Sequence, residues 1–191
     1  MAAWRWGYGM SPFEDALVVR AASGADDRAF SRLVAMHQAA VRGFLRRLTG
    51  SDAALADDLA QDTFLTAYRR LASFRGDSSF RAWLMRIAYR AFLQHRRRPA
   101  RREVSCDMAA YLAGQAAAAV PMAARLDIEN ALARLPEAER VALSLCFTYG
   151  LSHEEAARAT DQPLGTLKSQ VARGKARLKE ILAVWQTEKA S

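Results

Sequence analysis

The sequence predicts an all-α protein, two small helical domains joined by a flexible linker. Three observations predict it. Apolar residues recur at helical spacing in every patterned stretch, and no alternating run of useful length marks a strand. The helical pattern also breaks between Pro99 and about Ala124, where two prolines, Gly114 and the run Ala116 to Ala119 replace it. The 191 residues suffice for one sizeable core or two small ones. The break favours two.

The elements follow in order. Met1 to Gly9 is aromatic and glycine-containing without periodicity, and Ser11, Pro12 and Glu14 after Met10 read as a fresh start with a capping box. Residues 1–24 are therefore assigned to an extension and a short helix. From Asp26 to Leu48, the residues Phe30, Leu33, Val34, Val41, Phe44, Leu45 and Leu48 form a helical stripe that Gly50 ends. Ser51 is expected to cap a second helix reaching about Leu71. The loop Phe74-Arg75-Gly76-Asp77-Ser78-Ser79 has turn chemistry, and a third long helix follows to about Arg98. Three helices with short connections make one domain, residues 25–98. Residues 99–126 are read as a linker with some helical content. Ile128 to Leu135, Glu137 to Tyr149, Ser152 to Ala159 and Pro163 to Leu182 make a second helical domain, residues 127–185, followed by a tail at 186–191.

Composition narrows the function. A net charge of +8 and a pI near 10.1 favour a polyanionic partner. Cys106 and Cys146, taken with His37, His95 and His153, give no metal-ligand spacing, so neither a zinc site nor a disulfide scaffold is expected. No apolar run approaches the roughly 18 to 20 residues that span a bilayer, and no secretory leader is apparent. The expectation is a reduced, cytoplasmic protein without cofactor or metal.

Charge is distributed by face. On a wheel Trp83, Arg86, Arg90, Gln94 and Arg97 share one stripe, and Arg81 to Arg102 holds eight arginines and no acid. Such a face neutralises phosphates and offers an aromatic platform to an unpaired base. The preceding helix is the opposite case. Leu55, Ala56, Leu59, Ala60, Phe64, Ala67 and Leu71 cover one side, while Asp57, Asp58, Gln61 and Asp62 lie on the other with Leu65 and Tyr68 among them. Apolar groups within an acidic face suggest a docking surface for a basic protein partner. A solvated face with one exposed leucine is the alternative.

The second domain carries a helix-turn-helix outline. Gly150 can close one helix, Ser152-His153-Glu154-Glu155 opens the next as a capping box, and Thr160-Asp161-Gln162 turns into Pro163 at the start of a long helix. Leu164, Leu167, Val171, Leu178 and Leu182 form its packing stripe. Thr166, Ser169, Gln170, Arg173 and Arg177 face the other way, flanked by Lys168, Lys175 and Lys179. Ser, Gln and Arg early in such a helix suit base edges in the major groove, and lysines suit phosphates. A polar outer face on a surface helix is the alternative.

The motifs Asp57-Asp58-Leu59-Ala60-Gln61-Asp62-Thr63-Phe64, Phe74-Arg75-Gly76-Asp77, Phe80-Arg81-Ala82-Trp83-Leu84 with Arg86-Ile87-Ala88, Leu132-Ala133-Arg134-Leu135-Pro136 and Pro163-Leu164-Gly165-Thr166-Leu167-Lys168-Ser169 resemble those of extracytoplasmic-function sigma factors of the sigma-70 family. The resemblance covers roughly residues 25–98 and 127–183 in the family's order. It implies a promoter-specificity subunit, not an enzyme, in which the first domain is sigma region 2 and the second sigma region 4. Asp57, Asp58, Gln61, Asp62, Leu65 and Tyr68 would bind bacterial core RNA polymerase. Phe74, Arg75, Gly76, Asp77 and Ser78, with Trp83, Arg86 and Arg90, would capture and melt the minus-ten element of promoter DNA. Thr166, Lys168, Ser169, Gln170, Arg173 and Arg177 would read the minus-thirty-five element. The linker would thread toward the polymerase cleft. The resemblance further implies an anti-sigma factor, often membrane-anchored, and a chain that is monomeric when free. Many relatives carry Asn and Asp where this chain has Arg90 and Gln94, and bulky or basic residues where it has Ala172, which leaves promoter preference open.

Two readings from other classes compete. A dimeric helix-turn-helix repressor would need a self-association surface and would bind a palindromic duplex without polymerase. A nuclease would need catalytic partners beside the acids and would cleave with divalent metal.

Overall fold

The computed structural model describes residues 12–24, 26–50, 52–97 and 122–190, with side chains from 128 to 183 in the last stretch. Among these residues all regular structure is helical. The chain divides into two compact units. Residues 99–121 of the expected linker, Cys106 among them, the opening segment with Ser11, and Ser51 lie outside the described residues.

The N-terminal unit contains four helices, α1 (Pro12–Ala22), α2 (Asp27–Leu48), α3 (Ala53–Arg70) and α4 (Phe80–Arg97). Asp26 starts α2, its carboxylate accepting from the Ala29 backbone N–H at 3.0 Å, and that bond holds its pKa below the usual carboxylate value. Gly50, at φ 67°, lets the chain turn out of α2. The cap of α3 is then Asp52 and not the expected Ser51. Its side chain accepts from Leu55 N–H at 3.0 Å. A carboxylate one residue later serves as well, and it adds charge at the positive helix end.

Leu33, Val41, Phe44 and Leu45 of α2, Ala56, Leu59, Ala60 and Ala67 of α3, and Phe80, Leu84, Met85 and Ala88 of α4 are buried together. The alanines matter because they let α3 lie close over the large side chains of its neighbours. The stripe on α3 differs from the expected one in its middle. Thr63 is fully buried, its hydroxyl satisfied by the Leu59 carbonyl at 2.7 Å, while Phe64 is only half-buried. A threonine that bonds back one turn can enter a core without an orphaned polar atom.

The short helix α1 belongs to this core and is no mere extension. Leu17 and Val18 are buried, and Glu14 reaches the buried His37 of α2, Oε1 to Nε2 at 2.8 Å. Burial, assisted by neighbouring Glu14, raises the pKa of Asp15.

The C-terminal unit contains α5 (Met122–Ala133), α6 (Glu137–Leu143), α7 (His153–Thr160) and α8 (Leu164–Ala190). Helix α5 starts inside the segment read as linker, and α8 runs on through the segment read as tail. At 27 residues α8 is about 40 Å long. Pro136 opens α6. The helix then widens into a π-helical turn, Ser144–Thr148, with Tyr149 N–H reaching the Ser144 carbonyl at 3.0 Å. Gly150 (φ 69°) ends it.

The capping box of α7 forms as expected. Glu155 N–H donates to Ser152 Oγ at 3.2 Å, and Ser152 N–H donates to Glu155 Oε2 at 3.0 Å. Ser152→Ala is expected to lower stability by about 1 kcal/mol, readable as a shift in urea midpoint at constant slope. No shift would mean that Glu155 alone holds the helix start.

Candidate functional site

Helices α2 and α3 border a groove of about 480 Å³. Its α3 wall carries Asp57, Asp58, Gln61, Leu65 and Tyr68, five of the six residues expected to meet a protein partner. The sixth, Asp62, is exposed one turn beyond Asp58. Leu65 is 47% exposed and Tyr68 51%, so large apolar surface stands open at the rim. Tyr68 is held in place. Its ring meets Phe30 edge-on at 5.0 Å, and its hydroxyl donates to Asp27 Oδ1 at 2.7 Å, a bond that raises the phenol pKa.

The acids are not equivalent. Asp57 Oδ1 is 3.4 Å from Arg42 Nε and 4.0 Å from Arg46 Nη2, so α2 already neutralises it. Asp58 and Asp62 form no ion pair among the described residues. Their charge remains available to a basic partner.

The opposite wall escaped sequence reasoning. It is made by Phe30, Val34, Gln38 and Arg42 of α2, spaced four residues apart. Phe30 and Val34 were expected in the core stripe, but they are half-buried because α3 leaves this row uncovered. The even spacing of four, with polar residues at its end, was the available signal.

The loop before α4 is built for a sharp turn. Gly76 has φ 71°, and Ser79 caps the helix by accepting from Ala82 N–H at 3.2 Å. Arg75 and Asp77 are exposed, and Ser78 and Gly76 are partly so. Phe74 lies inside the fold. Only 5% exposed, it packs edge-on against Phe80 at 5.7 Å and beside Trp83 at 5.3 Å, where it anchors the loop. Trp83 is half-buried in the same cluster, 5.5 Å from Phe80. Beyond it the stripe rises out of the core, from half-buried Arg86 to exposed Arg90, Gln94 and Arg97.

In the C-terminal unit the turn between α7 and α8 is made by Asp161, the one non-glycine residue with positive φ (56°) among those described. Thr166, Lys168, Ser169, Arg173 and Arg177 of α8 are exposed together. Gln170 differs from them in being only 8% exposed. Leu167, Gln170, Val171 and Gly174 are all buried, and three- and four-residue steps from Leu167 place Gln170 on the packing side. Arg177 Nη1 donates to Glu139 Oε1 of α6 at 2.7 Å, and Arg173 Nε lies 3.6 Å from the same oxygen. Lys175 is over the exposed ring of Phe147 at 4.4 Å. Cys146, expected in the core, is half-buried. Burial pushes its thiol pKa up and nearby Lys175 opposes this.

Two family models match the chain, Sigma-70 region 2 over residues 33–102 and Sigma-70 region 4 over residues 125–178. The RNA polymerase sigma-H factor of Pseudomonas aeruginosa is 34% identical over 182 residues, 88% of this chain and 94% of that protein. The ECF RNA polymerase sigma-E factor of Escherichia coli K12 is 33% identical over 174 residues, 84% and 90% of the two chains. The chain belongs to the extracytoplasmic-function sigma factors of the sigma-70 family.

Solved structures agree. This sigma factor is similar to CnrH in its complex with the cytosolic domain of CnrY (TM-score 0.64, 28% identity, covering 90% of this chain and 98% of that one). It is equally similar to the sigma factor RpoE in complex with the anti-sigma factor NepR from Bartonella quintana (TM-score 0.64, 29% identity, 81% and 97% covered). As a sigma factor it is a transcription initiation factor. No helix among its described residues is long and apolar enough to cross a membrane.

Proposed function

We propose that this sigma factor binds bacterial core RNA polymerase through the rim of the α2/α3 groove, directs it to specific promoters and assists strand opening. The observation that carries the reading is the groove itself. Exposed Leu65 and Tyr68 lie beside Asp58 and Asp62, which form no ion pair among the described residues, a combination that suits a basic, partly apolar surface and repels DNA. Nucleic acid is left to the other faces. Arg75, Gly76, Asp77 and Ser78 with Trp83, Arg86 and Arg90 would hold the minus-ten strand. Thr166, Lys168, Ser169, Arg173 and Arg177 would read the minus-thirty-five duplex. Stacking of an unpaired base is worth about 1 to 3 kcal/mol, enough to offset much of the local unstacking cost.

The same groove suits an anti-sigma factor, since a partner that covers Leu65, Tyr68 and Asp58 would exclude polymerase. The similarity to RpoE bound to NepR supports this regulation. The free chain would be monomeric and cytoplasmic, with 25–98 and 127–185 as its two working domains.

Run-off transcription from a promoter pool, with purified core polymerase and with or without this protein, tests the reading. Transcripts starting at a defined subset only when the protein is present are the expected result. A core enzyme indifferent to the protein, with sequence-specific duplex binding retained, would move the assignment to a repressor.

A further inference from the structure

We propose that Glu139, a residue of α6 outside the helix-turn-helix pair, is a positioning residue for promoter recognition. It would hold Arg173 and Arg177 of α8 in register and limit their attraction to phosphate of any sequence. The inference rests on the reading of α8 as the upstream-element reader. Glu139 is only 4% exposed, yet its carboxylate reaches the helix face that carries five exposed residues assigned to DNA. One oxygen, Oε1, accepts from Arg177 Nη1 at 2.7 Å and lies 3.6 Å from Arg173 Nε. Two guanidinium groups one turn apart would repel each other and sample many rotamers. A shared carboxylate removes the repulsion and selects one arrangement.

Gly174 is what permits this approach. A Cβ there would be 2.9 Å from Leu143 Cδ1 and 3.2 Å from Glu139 Cβ, so the backbone of α8 rests directly on α6 between the two arginines. Charge acts alongside geometry. Arg173, Arg177 and Glu139 together carry a net charge of one positive unit, whereas the arginines alone would carry two. Glu139 therefore lowers affinity for generic DNA while fixing donors that must meet particular base edges. Specificity is a difference of affinities, and restraining the sequence-independent part enlarges it.

The geometry sets the division of labour. Arg177, bonded at 2.7 Å, is the anchor. Arg173, 61% exposed and beyond hydrogen-bond distance from Oε1, keeps donors for DNA.

The test compares holoenzymes made with the wild-type chain and with Glu139→Gln, which keeps the volume and removes the charge. Two probes are used, the strongest promoter from the run-off pool and the same promoter with its upstream element scrambled. The variant is expected to bind the scrambled promoter about threefold more tightly, with a salt slope steeper by up to about one released ion. Its preference for the intact element should fall about fivefold to tenfold. A merely structural residue would weaken binding to the intact element and leave the scrambled-promoter affinity and salt slope unmoved, and that result overturns the proposal. An unchanged preference also overturns it.

Should Glu139→Gln unfold the unit, Arg173→Lys keeps the charge and loses the planar fork. It is expected to lose preference with the salt slope unchanged, and an unaltered preference would sink the proposal. A wild-type holoenzyme that shows no preference at any upstream substitution would instead refute the reading of α8, a distinguishable failure.

Discussion

A chain carrying Asp58→Lys together with Asp62→Lys is expected to bind core RNA polymerase at least about 100-fold more weakly than the wild type, while its affinity for free DNA is retained or rises. Both acids are exposed on the open side of α3, and neither is engaged by an ion pair among the described residues. The packing side of that helix uses Ala56, Leu59, Ala60, Thr63 and Ala67, so the fold should survive the change. Two reversals place four units of charge difference against the basic partner proposed for this face, and like charges across an interface cost several kcal/mol. Asp57→Lys by itself should act differently. That position sits against Arg42 and Arg46, so a lysine there would repel α2 as well as the partner. Competition against labelled wild-type chain measures the effect, with a thermal melt to confirm folding. Undiminished polymerase binding would remove the acidic face from the interface.

The second large effect is expected at Trp83. Trp83→Ala should destabilise the N-terminal unit by about 3 kcal/mol, the lower end of the range for removing a buried aromatic, because the indole is half-buried. It packs 5.3 Å from Phe74 and 5.5 Å from Phe80, and Phe80 in turn lies 5.4 Å from the buried His37. Losing the indole would open a path for water to the root of the loop before α4. This stability cost would mask any role in DNA melting, so Trp83→Phe is the informative companion. It should keep most of the cluster and fold normally, yet open promoters several-fold more slowly if the indole supplies a stacking surface. Urea unfolding reads the first effect, and permanganate reactivity of promoter thymines reads the second. Wild-type opening by the phenylalanine variant would leave Trp83 a purely structural residue.

Much of this organisation is legible in the sequence. The capping box Ser152-x-x-Glu155, the turn at Asp161 and the glycine stops at Gly50 and Gly150 depend on neighbours in the chain, and each appears where local chemistry put it. The acidic and basic faces were legible for the same reason, since charge repels burial whatever the neighbours are. The differences in burial share a cause too. Phe74 and Trp83 share a cluster with Phe80, but only Phe74 is turned fully inward. Gln170 looks like part of the outer face, yet α8 buries it beside Leu167 and Val171. Phe30 and Val34 look like core until α3 fails to cover them.

What this sequence determined by itself is therefore its helices, their punctuation, the two-part organisation and the sign of charge on each face, because those follow from spacings of three and four residues and from solvation. What only the tertiary structure decided is which residues of a face are shared with a neighbour. The Arg42–Asp57 pair spans 15 positions, the Tyr68–Asp27 bond 41, and the Glu139–Arg177 bond 38. No helical period links such residues. They meet because small side chains, the alanines of α3 and Gly174 of α8, let particular helices approach closely enough for their polar edges to pair.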